Sequence, residues 1–185
     1  MQFHSLKEEV CEEIKGALAK VEEKDVYSLI DAILSVEKVF VTGAGRVMFM
    51  MQAFAKRIKH LGIDAHVAGE TVEPPVGKKD LLLVGSASGE TKITLAIAQM
   101  GRKRGAKIGL ITASPQSRLK KLVDVCVRIP CPTKLALPEE PKSRQPMGNL
   151  FEQSLLIFGD CLAILLQERL GVTEAEMWKA HANLE

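Results

Sequence analysis

Five short apolar runs, at 38–42, 65–68, 81–85, 108–112 and 123–129, alternate with stretches of helical spacing. This alternation constrains the fold more than any other feature of the chain. The runs lack strict polar–apolar alternation, which suits parallel strands covered on both faces. Val47, Met50, Met51, Phe54, Ile58 and Leu61 form one stripe of a helix predicted over 46–61, and a second helix is predicted over 90–104. Strands that alternate with helices build βαβ units and an open parallel sheet, so the expected fold class is α/β, in three α/β/α layers. Two helices, 5–22 and 25–35, precede the first strand. Val10, Ile14, Leu18 and Val21 share a face of the first, and Asp25 is placed to cap the second.

The segment 130–146 carries five prolines: Pro130, Pro132, Pro138, Pro141 and Pro146. It reads as a long irregular connection over the surface or over a site. Two C-terminal helices follow, over 148–170 and 173–181, with Gly171 at the end of the first. The longer one, rich in Leu150, Phe151, Leu155, Leu156, Ile157, Phe158, Leu162, Ile164, Leu165 and Leu166, is apolar nearly all round. Such a helix is covered on most sides. It is either a central core helix or one that a second subunit covers, and the second is expected. No repeat and no second domain is visible, so 1–185 reads as one domain, with a helical extension at 1–36 and C-terminal helices within 148–182.

The charge balance of 25 Lys and Arg against 23 Asp and Glu leaves a net charge of +2. That gives no broad electrostatic footprint for nucleic acid or for an anionic membrane, and neither is expected as a partner. Residues 4–24 lack the continuous apolar core of a signal peptide. The most apolar stretch, 155–166, is interrupted by Asp160 and is short for a span. Cys11, Cys126, Cys131 and Cys161 show no CxxC spacing, which argues against a zinc site or a disulfide framework and for reduced thiols in the cytoplasm.

Chemistry is concentrated in three places. The third strand runs into Gly85–Ser86–Ala87–Ser88–Gly89–Glu90–Thr91 before a helix. The carboxyl end of a parallel strand is where open α/β sheets bind ligands, and a helix start offers free N–H groups to an anion. Ser86, Ser88 and Thr91 add hydroxyls. This is either a cradle for one phosphate group or an ordinary strand–helix turn with Ser88 as N-cap. The first strand ends in Thr42–Gly43–Ala44–Gly45–Arg46–Val47–Met48, which starts like a dinucleotide fingerprint but has Met48 in place of the third glycine. A dinucleotide is therefore not expected. Gly43 and Gly45 allow close approach of a ligand, and Arg46 either reaches an anionic or hydroxylated substrate or faces solvent. Glu152, against an apolar helix, suits a general base. Equally, Asn149 three residues earlier completes a capping-box pattern with it. His181, near the end, is either idle in solvent or functional.

Together these segments resemble the sugar isomerase (SIS) domain, carried by Thr42–Gly43–Ala44–Gly45–Arg46, Gly69–Glu70–Thr71 and Ser86–Ala87–Ser88–Gly89–Glu90–Thr91. Gln145–Pro146–Met147–Gly148–Asn149–Leu150–Phe151–Glu152–Gln153 and the closing His181–Ala182–Asn183–Leu184–Glu185 narrow the resemblance to the 6-phospho-3-hexuloisomerase family. The resemblance runs over nearly the whole chain. It implies a flavodoxin-like five-stranded parallel sheet and a homotetramer. It implies interconversion of D-arabino-hex-3-ulose 6-phosphate and D-fructose 6-phosphate, next to hexulose-phosphate synthase in the ribulose monophosphate route of formaldehyde fixation. It also implies no metal and no cofactor. The phosphate grip falls on Ser86, Ala87, Ser88 and Thr91, sugar contacts on Gly43, Gly45 and Arg46, the base on Glu152, and a proton-moving histidine, reaching a neighbouring subunit's site, on His181. Where the family reads GAGRSG, this chain has Val47–Met48 after Arg46. Another SIS sugar-phosphate isomerase, or a module that senses a sugar phosphate without turning it over, would keep the serine-rich loop as well.

Overall fold

The computed structural model describes residues 2–184; Met1 and Glu185, the last residue of the closing motif, lie outside the described residues. Helices α1 (Phe3–Leu18) and α2 (Glu23–Leu34) come first, and then β1 (Lys38–Thr42), α3 (Arg46–His60), β2 (Ala65–Val67), β3 (Asp80–Gly85), α4 (Lys92–Lys103), β4 (Lys107–Thr112), a 3-10 turn at Leu119–Leu122, and β5 (Val125–Arg128). Two more helices, α5 (Asn149–Leu170) and α6 (Glu174–Lys179), close the chain. All five strands are parallel, in the order β2-β1-β3-β4-β5. The central pair, β1 and β3, aligns Lys38 with Asp80 through to Thr42 with Val84.

Successive side chains of a strand point to opposite faces, and here they feed two separate cores. Val39, Val41, Leu81, Leu83, Ile111 and Val127 join residues of α2, α3 and α5, with Ala17 of α1. Phe40, Leu82, Val84, Ile108 and Leu110 face the other way, against Ala98 of α4 and Leu119. The three layers are therefore unequal. Four helices load one face of the sheet, while α4, the 3-10 turn and the segment after β2 cover the other. The edge strands are short, three residues in β2 and four in β5.

Two local expectations are corrected. Asp25 does not cap α2, because the helix begins two residues earlier and Asp25 sits in its first turn, where a carboxylate still suits the helix dipole. The capping box of Asn149 and Glu152 does not form either: Gly148 takes the N-cap position of α5, and both side chains are drawn into other contacts. α5 ends as expected, on Gly171 in the left-handed conformation. It is long and apolar enough to cross a membrane by length and composition, but half of its most apolar stretch is buried in the fold, against α3 and α1. Its outer side leaves Leu156, Ile157 and Ile164 exposed. All four cysteines are free thiols, and burial pushes the Cys131 thiol up to about 12, so it stays protonated and inert.

Candidate active site

The chain turns from β1 to a helix on one face of the sheet and from β3 to a helix on the other. The crevice between their carboxyl ends is thus the topological switch point of the sheet. A cavity of about 390 Å³ opens there, within the usual size of a small-molecule site. Ala44 and Val47 line it from the β1–α3 turn, Ser86, Ala87, Ser88 and Thr91 from the β3–α4 loop, Thr133 and Lys134 from the proline-rich segment, and Glu152 from α5. A larger cavity, about 540 Å³, lies on the thinly covered face between Phe40, Leu82, Ile97 and Pro75. It holds no hydroxyl side chain, and its carboxylate, Glu73, is already bonded to the Gly69 N–H at 2.8 Å. The smaller cavity is the one that gathers hydroxyl side chains with a carboxylate.

The β3–α4 loop is held from behind. The Ala87 carbonyl accepts from Thr112 Oγ1 and from the N–H groups of Ala113 and Ser114, each at 3.0 Å. Gly89 has φ +64°, and a Cβ there would collide with the Ser117 side chain, so this position admits only glycine without strain. Glu90 accepts from the Arg118 N–H at 2.7 Å and pairs with its guanidinium. Those two contacts, the backbone bond first, hold the Glu90 carboxyl below the usual carboxylate range. The loop's front faces the cavity. Thr91, not Ser88, occupies the N-cap of α4, and no side chain caps that helix. Its first N–H groups therefore have no intrahelical partner. Ser86 is only 4% exposed, yet its Oγ bonds to no described group. A buried hydroxyl without a partner is costly unless something else pairs with it.

The β1–α3 turn shapes the opposite wall. A Cβ on Gly43 would stand 3.0 Å from the backbone nitrogen of Met48, so glycine lets the first turn of α3 pack close to β1. Gly45 serves the turn as N-cap of α3. Neither glycine faces the cavity, whereas Ala44 and Val47 do. Arg46 begins α3 and reaches over to α5. Its Nη1 lies 3.0 Å from Glu152 Oε2 and donates to Asn149 Oδ1 at 2.8 Å. The Arg46 side chain is 58% exposed and that of Glu152 14%, so a half-open cation stands over a mostly covered carboxylate.

Of the residues singled out in the sequence, Ser86, Ala87, Ser88, Thr91 and Glu152 converge on the cavity, with Arg46 at its edge. His181 is elsewhere within this chain. Its ring stacks on His60 at 5.4 Å and lies 5.3 Å from that of Trp178, while Nδ1 is 2.9 Å from the Ala182 carbonyl. His60 is the last residue of α3 and Arg46 the first, so the two ends are about 20 Å apart at ~1.5 Å per residue. Sequence reasoning missed Thr133, Lys134 and Met147 as lining residues; the first two belong to the proline-rich segment, read as a connection over the surface or over a site, and Met147 follows it directly. Among the described residues, no group of three or more His, Cys, Asp or Glu side chains is placed to hold a metal ion.

Residues 32–138 match the model of the SIS domain family. A 3-hexulose-6-phosphate isomerase of Bacillus subtilis is 37% identical over 177 residues, covering 96% of each chain. Its namesake from Mycobacterium gastri is 38% identical, covering 95% of this chain and 88% of the relative. The chain belongs to the 3-hexulose-6-phosphate isomerase family of SIS-domain proteins. A solved Methanococcus jannaschii protein, for which a molecular function of 3-hexulose-6-phosphate isomerase was inferred, superposes with a TM-score of 0.84 at 30% identity, covering 98% of this chain and 99% of that one. In this member of the 3-hexulose-6-phosphate isomerase family, the residue after Arg46 is the apolar Val47, and it forms part of the cavity wall.

Proposed function

We propose that the chain interconverts D-arabino-hex-3-ulose 6-phosphate and D-fructose 6-phosphate, as the ribulose monophosphate route requires. One observation carries this reading: the Glu152 carboxylate and the Ser86–Thr91 loop line one cavity at the switch point of the sheet. The loop anchors the phosphate through Ser86, Ser88, Thr91 and the free N–H groups of α4. Anchoring fixes the sugar end against Glu152.

Moving the ketone from C3 to C2 requires loss of the C2 proton and delivery of a proton to C3. Glu152 takes the C2 proton, the electrons of the broken C–H bond form the C2–C3 double bond, and the C3 carbonyl oxygen becomes the enediolate oxygen. The proton on O2 passes to O3, which leaves the oxyanion on O2; as the O2 electrons form the C2 carbonyl, the electrons of the C2–C3 double bond take the proton back from the Glu152 carboxyl at C3. Arg46, beside Glu152, faces the negative charge that develops on the enediolate. No redox or metal chemistry enters these steps.

The same reading includes assembly. Leu156, Ile157 and Ile164 stand exposed along α5, which supports a homotetramer as the working form. A proton-moving role for His181 then belongs to a site on a neighbouring copy. A cytoplasmic location and supply of substrate by a hexulose-phosphate synthase complete the reading.

The test couples ribulose 5-phosphate, formaldehyde and a synthase to this protein, and reads fructose 6-phosphate as NADPH through phosphoglucose isomerase and glucose-6-phosphate dehydrogenase. NADPH that depends on the protein, and a Glu152→Gln variant slower by about 10²-fold or more, are the expected results. Folded wild-type protein that binds fructose 6-phosphate without turnover would leave a sensing module instead. A His181→Ala variant of normal rate would remove the shuttle alone.

A further inference from the structure

Glu13 lies on α1, distant in sequence from every residue of the cavity, yet an unbroken run of polar contacts joins it to Glu152. Its carboxylate accepts from Ser143 Oγ at 2.6 Å, from the Arg144 N–H at 2.9 Å and from Gln145 Nε2 at 3.0 Å. Gln145 Oε1 accepts from Asn149 Nδ2 at 2.9 Å. Asn149 Oδ1 accepts from Arg46 Nη1 at 2.8 Å, and that same nitrogen is 3.0 Å from Glu152 Oε2.

The direction of every link follows from the first. An ionised carboxylate only accepts, so Gln145 must turn its NH₂ end to Glu13 and its oxygen away. That oxygen also only accepts, so Asn149 must present its own NH₂ to it and its oxygen to Arg46. A guanidinium only donates, and it fits the far end. The orientation of each amide, which is ambiguous in isolation, is thus set by two fixed ends that agree, the carboxylate on α1 and the Arg46 guanidinium. Burial of Glu13 favours its neutral form, but the bonds from Ser143, the Arg144 N–H and Gln145, with the Arg144 charge, outweigh this and hold its carboxyl below the usual range.

We propose that Glu13 is a positioning residue for the isomerase reaction: through Gln145 and Asn149 it fixes the Arg46 guanidinium, and with it the Glu152 carboxylate, in the orientation that proton transfer needs. This rests on the reading of Glu152 as the base. A relay of this kind acts on the reacting end of the substrate and not on its phosphate, so it bears on kcat and leaves KM nearly alone. Its sensitivity comes from geometry, since a misplacement of about 1 Å at a reacting group costs up to roughly a hundredfold in rate.

The experiment compares Glu13→Gln, Gln145→Leu and Arg144→Ala in the coupled assay, with Glu152→Gln alongside and thermal melting of each. Glu13→Gln keeps size and removes the charge that holds this end of the relay, because an amide at 13 can donate as well as accept. Gln145→Leu breaks the relay at its second link. Arg144→Ala removes an ion pair with Glu9, at 2.9 Å, that ties the same segment to the same helix; the backbone N–H at 144 still donates to Glu13, and the lost charge is the smallest of the influences that hold the Glu13 carboxyl low. The expected result is a fall of about tenfold in kcat for Glu13→Gln and Gln145→Leu with KM within about twofold, and an unchanged kcat for Arg144→Ala. Wild-type kcat in Glu13→Gln and Gln145→Leu overturns the proposal, and so does an equal loss in Arg144→Ala, which would mean that the helix merely anchors the segment. If Glu152→Gln itself turns over normally, the base assignment has failed first. If Glu152→Gln is inactive while Glu13→Gln is not impaired, the relay alone has failed.

Discussion

Arg46 and Glu152 meet at 3.0 Å although one opens α3 and the other lies in the first turn of α5. The contact joins the two helices beside the cavity that Glu152 lines, and on the proposed mechanism it sets a cation near the enediolate. The same guanidinium nitrogen also satisfies Asn149 Oδ1, which a lysine, with its single ammonium on a flexible stem, does not reproduce in that geometry. An Arg46→Lys variant is expected to lose between about 10²- and 10³-fold in kcat, the range for removal of one donor to a developing oxyanion. Steady-state rates in the coupled assay measure it.

Ser86 offers a test of the phosphate grip that does not confuse binding with folding. Its buried hydroxyl makes no bond to the described residues, so Ser86→Ala removes no internal hydrogen bond. The melting temperature should stay level or rise slightly. KM for the sugar phosphate should rise by about tenfold or more, since a hydrogen bond to a charged group contributes roughly 1.5–3 kcal/mol. Steady-state kinetics and a thermal scan on one preparation check both halves.

Lys134 is exposed, lines the cavity with Ser86, Ser88 and Thr91, and forms no ion pair with any described residue. Lys134→Ala should raise KM several-fold at low ionic strength and leave kcat nearly unchanged. The difference from wild type should shrink toward about 0.5 M salt, because the exposed ammonium is screened over a few ångströms there. A KM series in potassium chloride decides it.

The Glu90–Arg118 contact predicts an acid-linked loss. Glu90 is held below its ordinary range in the folded chain, by the Arg118 N–H first and the guanidinium second. A depressed folded value means stability that is fully present above the unfolded value and lost as pH falls through the folded one. Urea unfolding of wild type and Glu90→Gln should therefore show wild type ahead at pH 7, with the gap closing as the pH drops through the acidic range below about 4. A gap of constant size down to pH 3 would exclude this linkage.

The sheet was legible because burial on both faces writes itself as continuous apolar runs, so all five strands were found within one or two residues at most ends. The strand order was not legible, since apolar runs carry no record of which neighbours they pair with. The Ser86–Thr91 loop was legible because its chemistry is local. Arg46–Glu152 was not, because the two residues are joined only by the fold. The same holds for Glu13, whose partners lie beyond β5. Local rules also misled at two helix starts: Asp25 does not cap α2, and Asn149 and Glu152 have capping-box spacing, but Gly148 starts the helix and Arg46 contacts both side chains. A competing long-range charge outweighed a short-range cap.

Both borders of the sheet end in stubs, three residues of β2 on one side and four of β5 on the other, and β5 leads at once to Pro130 and Pro132. A border that brief offers too few free backbone donors and acceptors to template another chain, and proline subtracts a donor wherever it stands. Strand-to-strand pairing between copies is thereby disfavoured. Among the described residues, what copies meeting in a crowded solution can offer one another is helix and loop surface, such as the exposed Ile157 and Ile164 of α5, more than strand edges.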